Sequence, residues 1–226
     1  MKKITAILLI LVLLAATVLT VPAAETAFSD VPSNAWYADA VDYVRTAGIM
    51  SGTSHDTFSP EKTMTRAMLV TVLHRVAGNP TASSSADFTD VAPTAYYTSA
   101  VAWAAESGLV AGYENGRFGA DDPVSRAQIA TILWRYAGSP QTAGSADFAD
   151  EADIPAYAAA AVDWARANGI VNGKDGNRFD PQGNATRAQV AAILKNYLTL
   201  PADDTNPTPD AGTGSRVLVA YYSASG

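Results

Sequence analysis

The chain contains no cysteine, only two histidines and too few bases for its acids, with 15 Lys and Arg against 22 Asp and Glu in 226 residues. Without cysteine there is no disulfide framework and no thiolate metal site. The acid excess disfavours nucleic acid as a partner, because phosphate binding needs a basic face. His55 and His74 carry no partner signature, and the body of the chain has no G-x-S-x-G, H-E-x-x-H, P-loop or EF-hand pattern. The run Asp150–Asp153, "DEAD", reads as a solvated acidic turn. No catalytic residue, metal or cofactor is expected in this body.

The amino terminus is informative. A short basic start, "MKK", precedes an apolar, uncharged run from Ile4 to Val21. "PAAETA" then offers small residues for a signal peptidase, so residues 1–24 read as a secretion signal. The alternative for a run of this length is an uncleaved membrane anchor. Either way the rest of the chain is exported, and after cleavage no membrane contact is expected.

The strongest feature is internal repetition. "FSDV" at Phe28, "FTDV" at Phe88 and "FADE" at Phe148 recur at equal intervals. Gly48, Gly108 and Gly169 keep the same register, as do Gly52, Gly112 and Gly173, then Phe58, Phe118 and Phe179, then Arg66, Arg126 and Arg187, with one residue inserted in the third unit. Each unit opens with an Asp-containing turn and an apolar helix; in the first, Trp36, Ala40, Val41, Val44 and Ala47 fall at helical spacing. Gly48, Gly108 or Gly169 follows as a left-handed helix terminator. A Gly-, Asn- and Asp-rich loop comes next, pinned by its phenylalanine. The second helix runs from a Thr/Ser-Arg-Ala step to about Val76, Tyr136 and Tyr197, with the stripe Ile129, Ile132, Leu133 and Tyr136 in the second unit. The units span residues 25–78, 85–138 and 145–199.

The F-x-D start, the Ala-Val helix, the "GI" or "GL" step with a further Gly, the loop Phe and the Thr/Ser-Arg-Ala step together resemble the S-layer homology family, in three copies from Phe28 to about Tyr197. The resemblance implies an all-α, pseudo-threefold body whose second helices contribute to a central bundle. It implies a secreted protein of the bacterial cell wall or S-layer, with grooves between units that bind secondary cell wall polysaccharide. In many members that glycan carries a pyruvate ketal, read by the helix-start arginine. The alternatives are docking of a protein partner or assembly of a surface lattice.

The arginines Arg66, Arg126 and Arg187 pose a physical problem. A cation in the first turn of a helix opposes the helix dipole. Capping explains their neighbours: Ser125 with Gln128, and Thr186 with Gln189, form capping boxes, whereas Thr65 caps opposite Met68, which cannot close the box. It does not explain the cation. One reading is a salt bridge to the F-x-D aspartate. The other is an external anion, which free helix-start amides and a guanidinium fork both favour. Because Met68 lacks a polar group, the site of Arg66 is expected to be the weakest. Trp103 and Trp164, at the position of Tyr43, are candidate sugar-stacking residues as well as core residues. Trp36, Tyr96 and Tyr157 are equally ambiguous. Gly52, Gly112 and Gly173 serve turn geometry or close sugar approach.

Residues 200–215 are a Pro/Asp/Thr/Gly linker. "RVLVAYYSASG", residues 216–226, resembles the first strand and phosphate loop of a flavodoxin-like domain. On that reading Ser223 and Ser225 would become phosphate-loop residues only in a longer protein, of which this chain is an N-terminal piece, and the chain as given holds no flavin.

Overall fold

The structure, a computed structural model, describes residues 28–201. The expected signal segment, almost all of the linker and the run 216–226 with Ser223 and Ser225 lie outside them. The described residues form α1 (Ala38–Thr46), α2 (Arg66–Val76), α3 (Thr98–Glu106), α4 (Arg126–Tyr136), α5 (Ala159–Ala167) and α6 (Arg187–Leu198), with short 3-10 turns at Glu151–Asp153 and Ala156–Ala158. Among them there is no β-strand, only isolated bridges, so the expected all-α class holds.

Each unit supplies a short first helix and a longer second one. The first helices have nine residues and no side-chain cap. Helices of that length are marginal alone, so packing must hold them. In α1 the buried face is Ala38, Ala40, Val41 and Val44. Trp36 and Ala47, expected on that stripe, fall just outside the helix ends and are exposed. Gly48, Gly108 and Gly169 end the first helices at φ +70°, +68° and +66°. A Cβ there would touch nothing, so the backbone angle alone requires glycine. The second helices start on Thr65, Ser125 and Thr186, each accepting a backbone N–H three residues on. Gln128 and Gln189 close reciprocal capping boxes.

Packing joins neighbours rather than the helices of one unit. Helix α3 packs on α2, α5 on α4, and α1 on α6. Each first helix therefore rests on the second helix of the unit before it, and the first unit rests on the third. The residues leading into the second helices close the same circuit. Met64 N–H donates to the Ala185 carbonyl (2.9 Å), Ala185 N–H to Val124 (3.1 Å), and Val124 N–H to Met64 (3.0 Å). All three residues are fully buried.

The loops are held from inside. Asp30 accepts N–H bonds from Phe58 and Ser59, Asp90 from Phe118 and Gly119, and Asp150 from Phe179 and Asp180, at 2.6–2.8 Å. The three phenylalanines are fully buried, as expected. Asp150 is buried too, which corrects the reading of "DEAD" as a solvated turn; only residues 151–153 are exposed. Burial alone raises the Asp150 carboxyl, but the amides of Asp180 and Phe179 outweigh it and hold it below the ordinary carboxylate range. Asp90 is lowered in the same way by Phe118, Gly119 and Ala120.

Trp103 and Trp164 belong to the core, at 4 % and 1 % exposure. Trp103 meets His74 and Tyr136, and Trp164 meets Tyr197 edge-on at 6.0 Å. His74 Nε2 lies 2.8 Å from the Pro80 carbonyl, and in the next unit Trp134 Nε1 donates to the Pro140 carbonyl at 2.9 Å. The histidine thus stands at a repeated structural position, tying a linker to the second helix.

Candidate functional site

The helix-start arginines reach out of their own units. Arg66 donates through Nε to the Phe118 carbonyl (3.0 Å) and through Nη2 to Ala111 (3.1 Å). Arg126 reaches Phe179 (2.6 Å) and Asn172 (3.3 Å), and Arg187 reaches Phe58 and Ser51 (2.7 Å each). Each guanidinium also sits over the ring of the same phenylalanine, at 4.9, 5.1 and 4.4 Å from its centroid. The loop Phe is therefore clamped twice: its N–H by the aspartate of its own unit, its carbonyl by the arginine of the preceding one.

This corrects the salt-bridge reading. Among the described residues none of the three arginines forms an ion pair with a carboxylate; the F-x-D aspartates instead lie near Arg117 and Arg178 (3.7 Å), in the second and third units. The three cations are only 6–7 % exposed, and their hydrogen bonds go to neutral carbonyls. Burial lowers the guanidinium pKa of Arg126, with Asp180 and Asp150 pulling it back, and that of Arg187, with Asp30 pulling it back. Among the described residues, Nη1 of each arginine donates to no protein acceptor within hydrogen-bond distance.

Three grooves form around these cations, one at each seam. The first holds Arg187 with Gly52, Met68, Arg75 and Tyr96, in about 430 Å³. The second holds Arg66 with Gly112, Gln128, Arg135 and Tyr157, in about 410 Å³. The third holds Arg126 with Gly173, Gln189, Asn196 and Trp36, in about 720 Å³. Every groove draws its arginine from one unit, its glycine and second helix from the next, and its aromatic from the one after.

The arrangement reassigns several residues. Arg66, Arg126, Arg187, Gln128, Gln189, Gly52, Gly112 and Gly173 all line grooves. Met68, however, shares its groove with Arg187, so the site lacking an amide is not that of Arg66. Thr65, Ser125 and Thr186 act as N-caps. Trp103 and Trp164 line none of these grooves, because packing has buried them. A Cβ on Gly52 would fall 2.6 Å from the Phe28 ring, and one on Gly112 would strike Phe88, so loop packing already requires both glycines.

The aromatic lining comes from Trp36, Tyr96 and Tyr157, exposed by 67 %, 68 % and 55 %. Arg75 and Arg135 donate to the carbonyls of Ile49 and Leu109 (3.2 Å each), and Asn196 to that of Ile170 (3.2 Å). Sequence reasoning missed this last set, although its spacing follows the repeat register.

The family described as S-layer homology domain matches residues 27–67, 87–130 and 147–191, one match per unit. The chain belongs to the S-layer homology domain family. An amylopullulanase of Thermoanaerobacterium thermosulfurigenes is 30% identical over 180 residues, 77% of this chain and 10% of that protein. Exoglucanase XynX of Acetivibrio thermocellus is 27% identical over 176 residues, 76% of this chain and 16% of that protein. The surface-layer 125 kDa protein of Lysinibacillus sphaericus is 28% identical over 202 residues, covering 85% and 17%. The chain thus spans between a tenth and about a sixth of the length of these relatives. Three S-layer homology units of this kind make a cell-surface anchoring module. Among the described residues no helix is long and apolar enough to cross a membrane.

Proposed function

We propose that this body anchors a secreted protein non-covalently to the bacterial cell wall by holding an anionic wall polysaccharide in its three inter-unit grooves. The observation that carries the reading is a buried guanidinium in each groove, bonded among the described residues to carbonyls only. A buried cation with no carboxylate in contact is costly, and an anion entering the groove supplies that contact. The carbonyl clamp fixes the guanidinium plane in advance, so little ordering is left to binding. A carboxylate on the glycan, such as that of a pyruvate ketal, matches the fork. Three grooves on one body add avidity toward a repeating polymer.

The names of the relatives fit this reading: enzymes and surface-layer proteins are the kinds of cargo such an anchor can hold at a wall. A flavodoxin-like cargo rests on residues 216–226 alone, which lie outside the described residues. The test is binding of the chain to purified wall polysaccharide before and after chemical removal of its acidic groups. The expected result is tight binding before and a loss of roughly tenfold or more after, the size of one charged hydrogen bond. Equal binding in both cases would refute the anion, and no binding in either would refute the glycan.

A further inference from the structure

The three grooves share a plan but not a charge. The groove of Arg187 is lined by Lys62 and Arg75 as well, and that of Arg66 by Arg135 as well; neither lining includes a carboxylate. The groove of Arg126 is different. Asp175 lines it, and its Lys174 is ion-paired with Asp180, which also acts on Arg126; the action of Asp150 on Arg126 is matched by that of Asp30 on Arg187 and does not set the grooves apart. The remaining polar lining of the Arg126 groove is amide: Asn172, Gln189 and Asn196. It is the roomiest of the three, and its aromatic is an indole. Tyr37 meets Trp36 edge-on at 5.3 Å, which holds the indole while leaving it 67 % exposed.

Electrostatic complementarity decides which ligand each groove selects. Two grooves present net positive charge on an otherwise acidic chain; the third is close to balanced. An indole face offers a large apolar surface with a polar edge, which suits the C–H face of a sugar ring. Side-chain amides both donate and accept, and so match hydroxyl and N-acetyl groups. We infer that the groove formed by Arg126, Gln189, Asn196 and Trp36 is a neutral-sugar subsite, while the other two grooves take the acid-bearing residues of the same polymer. This inference rests on the glycan reading proposed above.

The test uses the whole chain and one polymer in two forms: native wall polysaccharide, and the same material with its carboxyl groups reduced to alcohols. Affinity is measured by calorimetry for wild type, Trp36→Ala, Tyr96→Ala and Tyr157→Ala, with thermal melts as a check on folding. All three aromatics are exposed, so the fold should survive. The reduced polymer should still bind, weakly and without salt dependence. Trp36→Ala should lower that residual affinity by roughly tenfold and by more than either tyrosine variant does, whereas Tyr96→Ala and Tyr157→Ala should lose affinity chiefly for the native polymer. Asp175→Asn should strengthen binding of the native polymer and not of the reduced one. The inference is overturned if Trp36→Ala binds the reduced polymer like wild type, or if the tyrosine variants lose as much. Complete loss of binding on carboxyl reduction overturns it as well but leaves the anionic anchor standing. Failure of the native polymer to bind overturns the anchor reading itself.

Discussion

Arg66, Arg126 and Arg187 oppose the dipoles of their own helices, and the opposition is offset by two carbonyls of the neighbouring unit and the face of a phenylalanine. Removing the side chain strands the carbonyl of a fully buried phenylalanine, while the second acceptor, on exposed Ala111, Asn172 or Ser51, is left to water. A stranded buried group costs about 1–3 kcal/mol. Arg126→Ala should therefore lower stability by roughly 1–3 kcal/mol in urea unfolding at neutral pH; a change within about 0.5 kcal/mol, the range of ordinary surface substitutions, would show that the clamp is dispensable. The same residues set a ranking of grooves. Met68→Gln should close the missing capping box, adding about 0.5–1 kcal/mol of stability. It should also strengthen glycan binding in the groove of Arg187, which is the one that Met68 lines. Adding Arg187→Lys to Met68→Gln would test whether the gain depends on the fork rather than on charge alone, since a lysine presents one point charge. If Met68→Gln instead acts together with Arg66, the seam assignment is wrong.

At the scale of the element, each loop depends on one aspartate. The amides of Phe179 and Asp180 end on Asp150, and those of Phe118 and Gly119 on Asp90. Both carboxyls are held below their ordinary value, so their contribution is fully present above the unfolded pKa of about 4. It is lost as pH falls through the lower folded values. Wild-type melting temperature should accordingly drop steeply as pH falls below about 4, and Asp150→Ala should be less stable at pH 7 yet show a shallower acid decline. Parallel declines in the two proteins would remove Asp150 as a source of the acid sensitivity. The helix starts are a separate element-scale contribution. Ser125→Ala removes the acceptor for Gln128 N–H and should cost about 1 kcal/mol, read as a small fall in the urea midpoint without a change of slope.

The molecule as a whole is a closed circuit. The first unit donates its arginine to the second, the second to the third, and the third back to the first. The hydrogen bonds among Met64, Val124 and Ala185 repeat that closure at the centre. A single unit of this length buries little surface by itself. Residues 25–78 alone also lose Arg187 from the Phe58 and Ser51 carbonyls and α6 from beneath α1. That fragment should be largely unfolded by circular dichroism, while the three-unit chain melts in one cooperative step. A cooperative transition in the isolated first unit would show that closure adds little.

What could be read from the sequence alone is what repeats along it. The register of Phe28, Gly48, Phe58 and Arg66 with their counterparts determined three helix-loop-helix units, the left-handed turns after the first helices, the capping boxes at Ser125 and Thr186, and the residues that line the grooves through backbone-adjacent positions. Local physics is enough for these, since capping, turn angle and helical spacing act over a few residues. The tertiary structure decided what those features face. Trp36 and Trp103 are both aromatics near a first helix, yet one is exposed in a groove and the other packed in the core, because only the placement of the neighbouring unit separates the two. The pairing of Arg187 with Met68, and of Arg66 with Gln128, spans units that are consecutive or that meet only when the ring closes. Repeat spacing is the same in every unit but for one inserted residue in the third, and so carries no information about which unit completes which site. That assignment arises when α1 comes to rest on α6, a contact made across almost the whole described chain.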